Sequence, residues 1–469
     1  MGLSYRSAGV DIGAATQIKQ HINELARRTY TGRVLTRPGL FGGAVSLRST
    51  GTLENTSLTG SLGFLPGAVE EPAEVVERCL AGLPAGARPV AFLDYLAAGS
   101  LEPEAVQDLL QGFTRRLVRP PRVPLIGGET AEMPGVFNPG ACEVVGALFA
   151  LAKGTPGAGL ARAASLSHPC LVFSMDGVGT KTRLALAARR TAGLALDIIH
   201  HSLNDILCQG AEGLGLLLYL GCRARDEAAL QPIVRQAEEA ARRQGLALLQ
   251  VAIAVKPQVY QPGELDVCAA IAGLADAGRL LQGEAVREGD LLVGLASDGL
   301  HTNGYSLARR ALLEQAGLRL DQQVPELQRT LGEALLAPHR NYAPAVLPLL
   351  AGQASPVRAV AHITGGGLAD NLARVIPAGL GAQVRLGAWE VPALFRLIQR
   401  CGEVAESDPA GRGMLETFNM GIGLVLVIEP RRGGEVLQAL SAAGERARVL
   451  GQIVPDASGG SGARVRFSP

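Results

Sequence analysis

The sequence has 469 residues, of which 47% are hydrophobic and 19% are charged, and its formal net charge is +1. This length and apolar content predict a globular protein of two to four domains, and the near-neutral charge excludes a broad basic surface for nucleic acid. No apolar run reaches the ~18 residues of a membrane span, and the N-terminus lacks the regions of a secretory signal. The seven cysteines form no CxxC pair, so reduced thiols in a cytoplasmic protein are expected.

Strand and helix patterns alternate along the first 280 residues, which predicts an α/β fold. After a helical stretch at residues 18–28, the sequence predicts a strand at 89–97, a helix at 104–118 and strands at "VPLIGG" and 142–152. A Gly/Ala/Ser-rich connector follows. The same order then recurs in the segments "CLVFSM", "ALDIIHHSLNDILCQG", "LGLLLYLG", "AALQPIVRQAEEAARRQG", "LALLQVAIAV" and "LDVCAAIAGLA".

The recurrence keeps a nearly constant register. Tyr95 corresponds to Tyr219, and "MPGVFNPGACEV" corresponds to "KPQVYQPGELDV", which places Phe137 on Tyr260. Two unrelated amphipathic domains would not keep these residues in step, so the sequence predicts a tandem duplication of a domain of roughly 110 residues, too long for a solenoid repeat. The predicted divisions are an N-terminal segment, copy one, a linker, copy two and a C-terminal domain, at 1–43, 44–153, 154–168, 169–283 and 284–469.

The two copies retain different polar segments. Copy one keeps Asp94 and "GGETAE", whereas residues 250–255 of copy two are "QVAIAV" at the corresponding place. Copy two keeps "DGVGTK", and our alignment sets its Asp176 and Lys181 against Leu53 and about Ser57 of copy one. Each copy has therefore lost what the other retains.

Three polar segments of the copies suit a site that binds phosphate and metal. In "DGVGTK", glycines permit close approach of backbone N–H groups to phosphate, Lys181 offers a point charge and Asp176 a hard oxygen for Mg²⁺. In "HHSLNDILCQGAE", His201 and Asp205 are four residues apart on one helix. In "GGETAEMPG", Glu129 and Glu132 follow paired glycines in a predicted site loop. The alternatives are structural glycine turns, helix caps and a core histidine.

Three glycine-rich loops mark the C-terminal third as a predicted small-molecule cleft. The first follows the strand "LLVGLA" and enters a helix, the second is "HITGGG", and the third is "TFNMGIG" before a strand. Each loop alone is also compatible with a purely structural role.

Together these segments resemble the aminoimidazole ribonucleotide synthetase (phosphoribosylformylglycinamidine cyclo-ligase) family. The resemblance is carried by "LSYRSAGVDI", "FGG", "FLDY", "LIGGETAEMPG", "DGVGTK", "NDILCQGAE", "HTNGYSL", "LLAPHRNY", "AHITGGGLADNLARVIP" and "TFNMGIG". It covers nearly the whole chain except the additional copy. It implies α/β domains, with N-terminal domains that pair in a β-barrel, and ATP with Mg²⁺. The substrate amide oxygen is phosphorylated, and a ring nitrogen attacks the iminophosphate.

The resemblance also implies roles for individual residues. Asp176, Asp205 and Asp94 are expected to bind metal. The expected catalytic residues are Asp94, Lys181, His201, His301 and His362, with the general base unassigned. The expected ATP- and substrate-binding residues are Gly127, Gly128, Glu129, Thr130, Glu132, Gly177, Gly179, Thr180, Asn204, Gln209, Ser297, Asn303, Gly304, Thr364, Gly365, Gly366, Gly367 and Asn419.

This chain departs from the family, which has one N-terminal domain per chain and forms a homodimer. We expect the two copies to pair within the chain as a pseudo-dimeric barrel with one composite site, so that a monomer can function, with no nucleic-acid or membrane partner. The predicted activity is cyclisation of formylglycinamidine ribonucleotide in purine synthesis. A catalytically impaired nucleotide-binding or regulatory paralogue, and another ATP-dependent member of the superfamily, are the alternatives.

Overall fold

A computed structural model describes residues 2–3, 12–48, 53, 55–66, 71–154, 157–352, 354–406, 413–456 and 464–469. The motif at residues 3–12 therefore lies largely outside the described residues. The chain divides into an N-terminal unit, Gly9–Ile206 with Ala211–Leu280, and a C-terminal unit, Leu281–Pro469 with Leu207–Gly210 and the start of the chain. Within the described part, no helix has the length and apolar character needed to cross a bilayer.

The N-terminal unit contains two five-stranded sheets flanked by helices. Its strands are β1 (Gly43–Ser46), β2 (Thr56–Phe64), β3 (Arg88–Ala98), β4 (Leu125–Glu132), β5 (Cys142–Lys153), β6 (Ala158–Gly159), β7 (Pro169–Gly177), β8 (Glu212–Cys222), β9 (Ala247–Val255) and β10 (Leu265–Asp276). Its helices are α1 (Ile12–Thr29), α2 (Pro72–Ala81), α3 (Pro103–Leu117), α4 (Lys181–Ala187), α5 (Gly193–Leu207) and α6 (Glu227–Arg243).

The two sheets have the same strand order and directions. One sheet runs β4-β3-β5-β2-β6 and the other runs β9-β8-β10-β7-β1. In both sheets the outer pair, β3 with β4 and β8 with β9, is parallel, and the other pairs of these strands are antiparallel. The predicted connector 154–168 contributes the edge strand β6, which pairs with β2.

The strand register corrects one part of the sequence alignment. Gly146 of β5 pairs with Gly63 of β2, and Ala269 of β10 pairs with Asp176 of β7. Gly146 also pairs with Asp94, and Ala269 pairs with Leu218, so they hold corresponding places. Gly63 is thus the counterpart of Asp176. The prediction that Leu53 holds this place was wrong, because Leu53 precedes β2 and gapped alignment without strand pairs cannot fix register.

Reciprocal contacts link the two sheets. Strand β1, which precedes the first sheet's strands, pairs with β7 of the second sheet, and β6, which precedes β7, pairs with β2 of the first. Phe137 and Tyr260 form an antiparallel bridge. On either side of the bridge, Asn138 N donates to Val259 O at 2.8 Å and Gln261 N donates to Val136 O at 2.9 Å. Corresponding segments therefore meet each other.

The strands read as continuous apolar runs because both of their faces are covered. Residues of β3 and β5 such as Leu93 and Phe149 contribute to one core together with Phe173 and Ala270 of the second sheet. On the opposite face, β3 and β5 pack against helices α1, α2 and α3. Helix α3 reaches this core through buried residues three or four positions apart, Val106, Leu110, Phe113 and Leu117.

Buried polar groups join the sheets inside the shared core. Tyr95 donates to Asp266 at 3.1 Å, and the corresponding residue Tyr219 donates to Glu143 at 2.9 Å. Lys256 forms an ion pair with Glu143, and both side chains are at most 2% exposed. The position of Lys256 in the other half is occupied by Met133. The paired contacts thus share their geometry but differ in charge.

The C-terminal unit is built on a six-stranded sheet of order β14-β16-β11-β17-β15-β18. Its strands are β11 (Leu291–Ala296), β12 (Gln323–Val324), β13 (Arg329–Thr330), β14 (Val357–His362), β15 (Leu380–Arg385), β16 (Ile422–Ile428), β17 (Ala447–Pro455) and β18 (Val465–Ser468). Its helices are α7 (Tyr305–Arg309), α8 (Leu331–Leu335), α9 (Ala343–Leu350), α10 (Gly367–Val375), α11 (Ala393–Gly402), α12 (Met414–Thr417) and α13 (Gly433–Ala442).

Candidate functional site

The segment "GGETAE" forms strand β4 rather than the loop that we predicted from its two glycines. The pairing of β4 with β3 overrides the turn preference of the glycines. Side chains three positions apart on a strand point to opposite faces, so Glu129 and Glu132 separate. Glu132 accepts a hydrogen bond from Leu101 N at 3.1 Å within its own half. Glu129 is therefore the acid of this strand that is available to a neighbouring element.

Strand β4 packs against β7 of the second sheet, which ends at Asp176 and Gly177. Gly177 lies over the ring of Tyr95, and a Cβ there would be 2.8 Å from the ring. Only glycine allows this approach of the two sheets. Gly177 N donates to Asp176 Oδ1 at 2.6 Å, which orients the carboxylate at the end of β7.

His201 on α5 is the centre of an acidic cluster. Its Nε2 lies 2.9 Å from Asp176 Oδ2 and 3.5 Å from Asp205 Oδ2. Burial opposes the charged ring, yet Asp176 and Asp205, assisted by Glu129, raise the pKa of His201 to about 9. Asp205 also accepts a hydrogen bond from Ser174 at 3.1 Å. Glu129 from one sheet and Asp176 from the other thus act on one imidazole.

Lys181, predicted as a phosphate-binding cation, lies at the first turn of α4. Its Nζ is 2.7 Å from Asp197 Oδ1, and both side chains are 1% exposed. Burial lowers the pKa of Lys181, against the opposing effect of Asp197. The ammonium group is therefore committed to an ion pair in this structure.

Asp94 lies on β3 directly beside Gly128 of β4. A Cβ on Gly128 would lie 2.4 Å from Asp94 Oδ1, so the glycine makes room for this carboxyl group. Asp94 is 2% exposed, and burial raises its pKa to about 7. Asp94 therefore lies next to β4, opposite Gly128, the residue that precedes Glu129.

The other predicted residues of this unit are distributed unevenly. Gly127 and Thr130 lie on β4, Gly179 and Thr180 lie between β7 and α4, and Asn204 is fully buried on α5. Gln209 follows α5 in the segment Leu207–Gly210, which belongs to the C-terminal unit. Gln209 is fully buried there.

The three glycine-rich loops of the C-terminal unit meet at one edge of its sheet. Strands β11 and β14 both run antiparallel to β16, so the loops after them and the loop before β16 share that edge. Ser297 Oγ donates to Asn419 Oδ1 at 3.1 Å, and Asn419 Nδ2 donates to Gly299 O at 3.0 Å. Asn303 lies beside Gly365, where an added Cβ would be 3.1 Å from its Oδ1.

The remaining predicted residues of the second loop form the start of α10. Gly366 and Gly367 lie at its first turn, and Asn371 Nδ2 donates to Gly367 O at 2.8 Å. Thr364 Oγ1 is 3.4 Å from Asn371 Oδ1. In the first loop, Gly304 precedes α7. Asn371 thereby links the loop to the helix that follows it.

A third histidine, His339, contacts both His301 and His362, and the sequence did not lead us to predict it as a site residue. His339 stacks on His301 with ring centroids 3.9 Å apart, and its Nε2 lies 2.9 Å from His362 Nε2. His339 is part of "LLAPHRNY", a segment that we used for the family resemblance without assigning a role to its histidine. The only sequence signal for His339 was its imidazole within a family motif. Its distance in sequence from His301 and His362 gave no indication that the three rings meet.

The acidic cluster has the donor chemistry of a magnesium site. Mg²⁺ prefers carboxylate oxygens, and Asp176 and Asp205 bring such oxygens to His201 Nε2. Asp176 is 22% exposed and is therefore accessible to a ligand. The raised pKa of His201 beside Asp176 and Asp205 indicates that a cation is electrostatically favoured at this place. The donor atoms of Asp176 and Asp205 thus fit a magnesium ion.

Comparisons with known proteins match both units. The N-terminal domain model of the AIR synthase related proteins matches residues 83–150 and 161–275, and the C-terminal domain model matches residues 287–463. The phosphoribosylformylglycinamidine cyclo-ligase of Sorangium cellulosum is 37% identical over 347 residues, which are 74% of this chain and 92% of that protein. The protein of the same name from Symbiobacterium thermophilum is 44% identical over 302 residues, 64% of this chain and 84% of its own.

Among solved structures, the hydrogenase maturation protein HypE of E. coli is similar at a TM-score of 0.48 and 20% identity, over 68% of this chain and 88% of its own. The sequence relatives and the two domain models agree with each other over most of the chain. The chain belongs to the phosphoribosylformylglycinamidine cyclo-ligase family.

Proposed function

We propose that this protein catalyses the ATP-dependent cyclisation of formylglycinamidine ribonucleotide to aminoimidazole ribonucleotide. The observation that carries the proposal is the family membership, which extends over both units and includes relatives that bear this activity in their names. The polar loops at one edge of the C-terminal sheet and the acidic cluster of the N-terminal unit supply the groups that such a reaction requires.

The N-terminal unit is, in this proposal, a tandem duplication whose copies pair as a pseudo-dimer. The identical strand order of the two sheets, the exchanged edge strands β1 and β6, and the bridge between Phe137 and Tyr260 support it. A twofold relation requires corresponding residues to meet at its axis, and Phe137 corresponds to Tyr260. A chain that pairs internally needs no second copy, so we expect a monomer.

One composite site per chain follows from the acidic cluster. Glu129 comes from copy one, Asp176 and Asp205 come from copy two, and all three affect His201. We assign Asp176, Asp205 and Asp94 to hold Mg²⁺, with Glu129 contributing negative charge from copy one. His201 keeps the carboxylates in place when no cation is bound. The counterparts of Glu129 and Asp176 are Ala252 and Gly63, which cannot bind a metal.

ATP, when bound, supplies the phosphoryl group that turns the substrate amide oxygen into a leaving group. The chain's own residues hold the reactants and their charge. Carboxylates of the acidic cluster orient the metal and the phosphates, while Ser297, Asn303 and Thr364 with the adjoining glycines offer hydroxyl, amide and backbone groups for the ribonucleotide. His301 and His362 are the histidines placed to move a proton.

Turnover of the purified chain tests this proposal directly. With ATP, Mg²⁺ and formylglycinamidine ribonucleotide, we expect release of one ADP for each aminoimidazole ribonucleotide formed, measured by coupled ADP assay and mass spectrometry. ADP release that needs no ribonucleotide would contradict the proposal, and so would binding of ATP without turnover. The second outcome would identify an impaired nucleotide-binding paralogue instead. We further propose that the protein acts in the cytoplasm, where this reaction has its substrates.

A further inference from the structure

Three buried histidines of the C-terminal unit come together although they are far apart in sequence. His301 follows β11, His339 precedes α9, and His362 ends β14, and each is at most 1% exposed. One ring nitrogen of each lies within 4.8 Å of one ring nitrogen of the other two. Imidazole nitrogens are the commonest protein ligands of transition metals, whereas Mg²⁺ prefers oxygen.

Two of the rings already have a relation that suits a shared metal ion. The Nε2 atoms of His339 and His362 are 2.9 Å apart, and the rings are inclined at 61° with centroids 5.0 Å apart. Two imidazoles on a tetrahedral ion with bonds of about 2.0–2.1 Å place their nitrogens roughly 3.3 Å apart. An ion can therefore replace the proton between His339 and His362 after a shift of a few tenths of an ångström.

The surroundings keep His301 close to this pair. Its ring stacks on His339 at 24°, and Gly423 lies against it, where a Cβ would be 2.4 Å from His301 Cε1. Coordination by His301 needs its ring to rotate out of the stack about the Cβ–Cγ bond. Arg340, which follows His339, has its charge balanced by Asp298 at 3.0 Å and Glu445 at 2.9 Å. This neighbouring cation therefore does not oppose a metal ion.

We propose that His301, His339 and His362 form a binding site for a transition-metal ion of the Zn²⁺ class. Three neutral imidazoles occupy three tetrahedral positions and leave the fourth for water or an anion. Binding displaces the proton between the Nε2 atoms of His339 and His362 to an Nδ1 atom, so both rings remain neutral imidazoles and no other co-reactant is required. This site goes beyond the proposed cyclisation, although it uses His301 and His362, which the cyclisation proposal also assigns.

Zinc titration of the metal-free full chain tests the site. In excess Mg²⁺, we expect one Zn²⁺ per chain to survive gel filtration, and bound Co²⁺ to give the visible spectrum of tetrahedral nitrogen ligation. His339→Asn should weaken Zn²⁺ binding by about 100-fold, because loss of a ligand exceeds the 10- to 100-fold effect of outer-shell partners. Failure of the unaltered chain to retain Zn²⁺ would overturn the proposal.

Matched variants separate this site from the acidic cluster of the N-terminal unit. His168→Asn alters a histidine whose side chain is 42% exposed and should leave Zn²⁺ binding unchanged. His301→Asn retains the His339–His362 contact and should still weaken binding, which guards against misfolding of the first variant. If Asp176→Asn abolishes Zn²⁺ binding while His339→Asn does not, the ion belongs to the acidic cluster and the proposal fails.

Discussion

The two ends of the N-terminal unit have corresponding strands but different chemistry. Where β4 meets β7, Asp176 lies 2.9 Å from the buried ring of His201, and the charge of Glu129 also raises the pKa of that ring. At the corresponding place, β9 approaches β2, and Gln250 Oε1 accepts a hydrogen bond from Leu62 N at 2.8 Å. Ala252 takes the place of Glu129 there. One end is a charged cluster and the other is closed by a side-chain to backbone hydrogen bond.

This comparison shows which part of the scaffold the fold requires and which part it does not. Strand order and edge exchange are alike in the two halves, because apolar packing and backbone pairing stabilise each sheet. The fold does not require the carboxylates of Glu129 and Asp176, because the corresponding residues Ala252 and Gly63 are accommodated in the same sheet arrangement. Gly63, the counterpart of Asp176, could not even carry a side chain, since a Cβ there would lie 2.3 Å from Val75 O.

Removing one acid from the charged end should have the largest effect. Asp176→Asn and Glu129→Gln keep the shape of the side chain but remove the charge that would hold the metal. We expect each to lower kcat by at least about 10²–10³-fold, in line with the loss of a single charge-stabilising group. Steady-state ADP release measures it. Ala252→Ser at the other end is the matched control and should leave kcat unchanged, so equal losses at both ends would contradict the comparison.

Removing the acid of the buried Lys256–Glu143 ion pair, which has no counterpart in the other half, should have the next largest effect, a loss of stability. Glu143→Gln leaves the Lys256 ammonium without its carboxylate, and such a loss costs about 3–5 kcal/mol. The matched variant is Asp266→Asn, which changes the corresponding acid in the half where Met133 replaces the lysine. It should cost far less, since Tyr95 keeps an acceptor. Urea unfolding of both variants provides the measurement, and equal destabilisation would contradict the asymmetry.

The pH dependence of stability should show a smaller effect of the same asymmetry. Burial, together with Glu143, raises the pKa of Asp266 to about 7. The pKa of an aspartate in the unfolded chain is about 4. The stabilising contribution of protonated Asp266 to folding is therefore fully present below about pH 4 and is lost as the pH rises through 7. The free energy of unfolding of Asp266→Asn, taken relative to that of the unaltered chain, should therefore rise by about 2 kcal/mol between pH 5 and pH 8. If the difference in unfolding free energy between the variant and the unaltered chain is the same at pH 5 and pH 8, this prediction is wrong.

Local patterns predicted much of the fold. The apolar runs at 89–97 and 142–152 are β3 and β5, and the helical spacing at 104–118 is α3. The match of Phe137 with Tyr260 anticipated residues that bridge each other. These features depend on periodicity and on short, ungapped similarity, which a single sequence contains.

Features set by partners distant in sequence were not predictable. The glycines of "GGETAE" indicated a loop, but pairing with β3 makes it a strand. Lys181 was predicted to bind phosphate, and the sequence did not reveal that Asp197 in the next helix pairs with its ammonium group. The counterpart of Asp176 depends on strand register, and the meeting of His339 with His362 depends on tertiary packing. None of these partners is visible in a local pattern.

Mixing two inactive variants tests the central claim most directly, namely that sister halves of one chain share a single site. Glu129→Ala inactivates the contribution of copy one, and Asp176→Ala that of copy two. In this account both acids of a site come from the same chain, so an equimolar mixture of the two purified variants, refolded together, should remain inactive. Recovery of about a quarter or more of the unaltered activity, as random pairing of chains would give, would contradict the account.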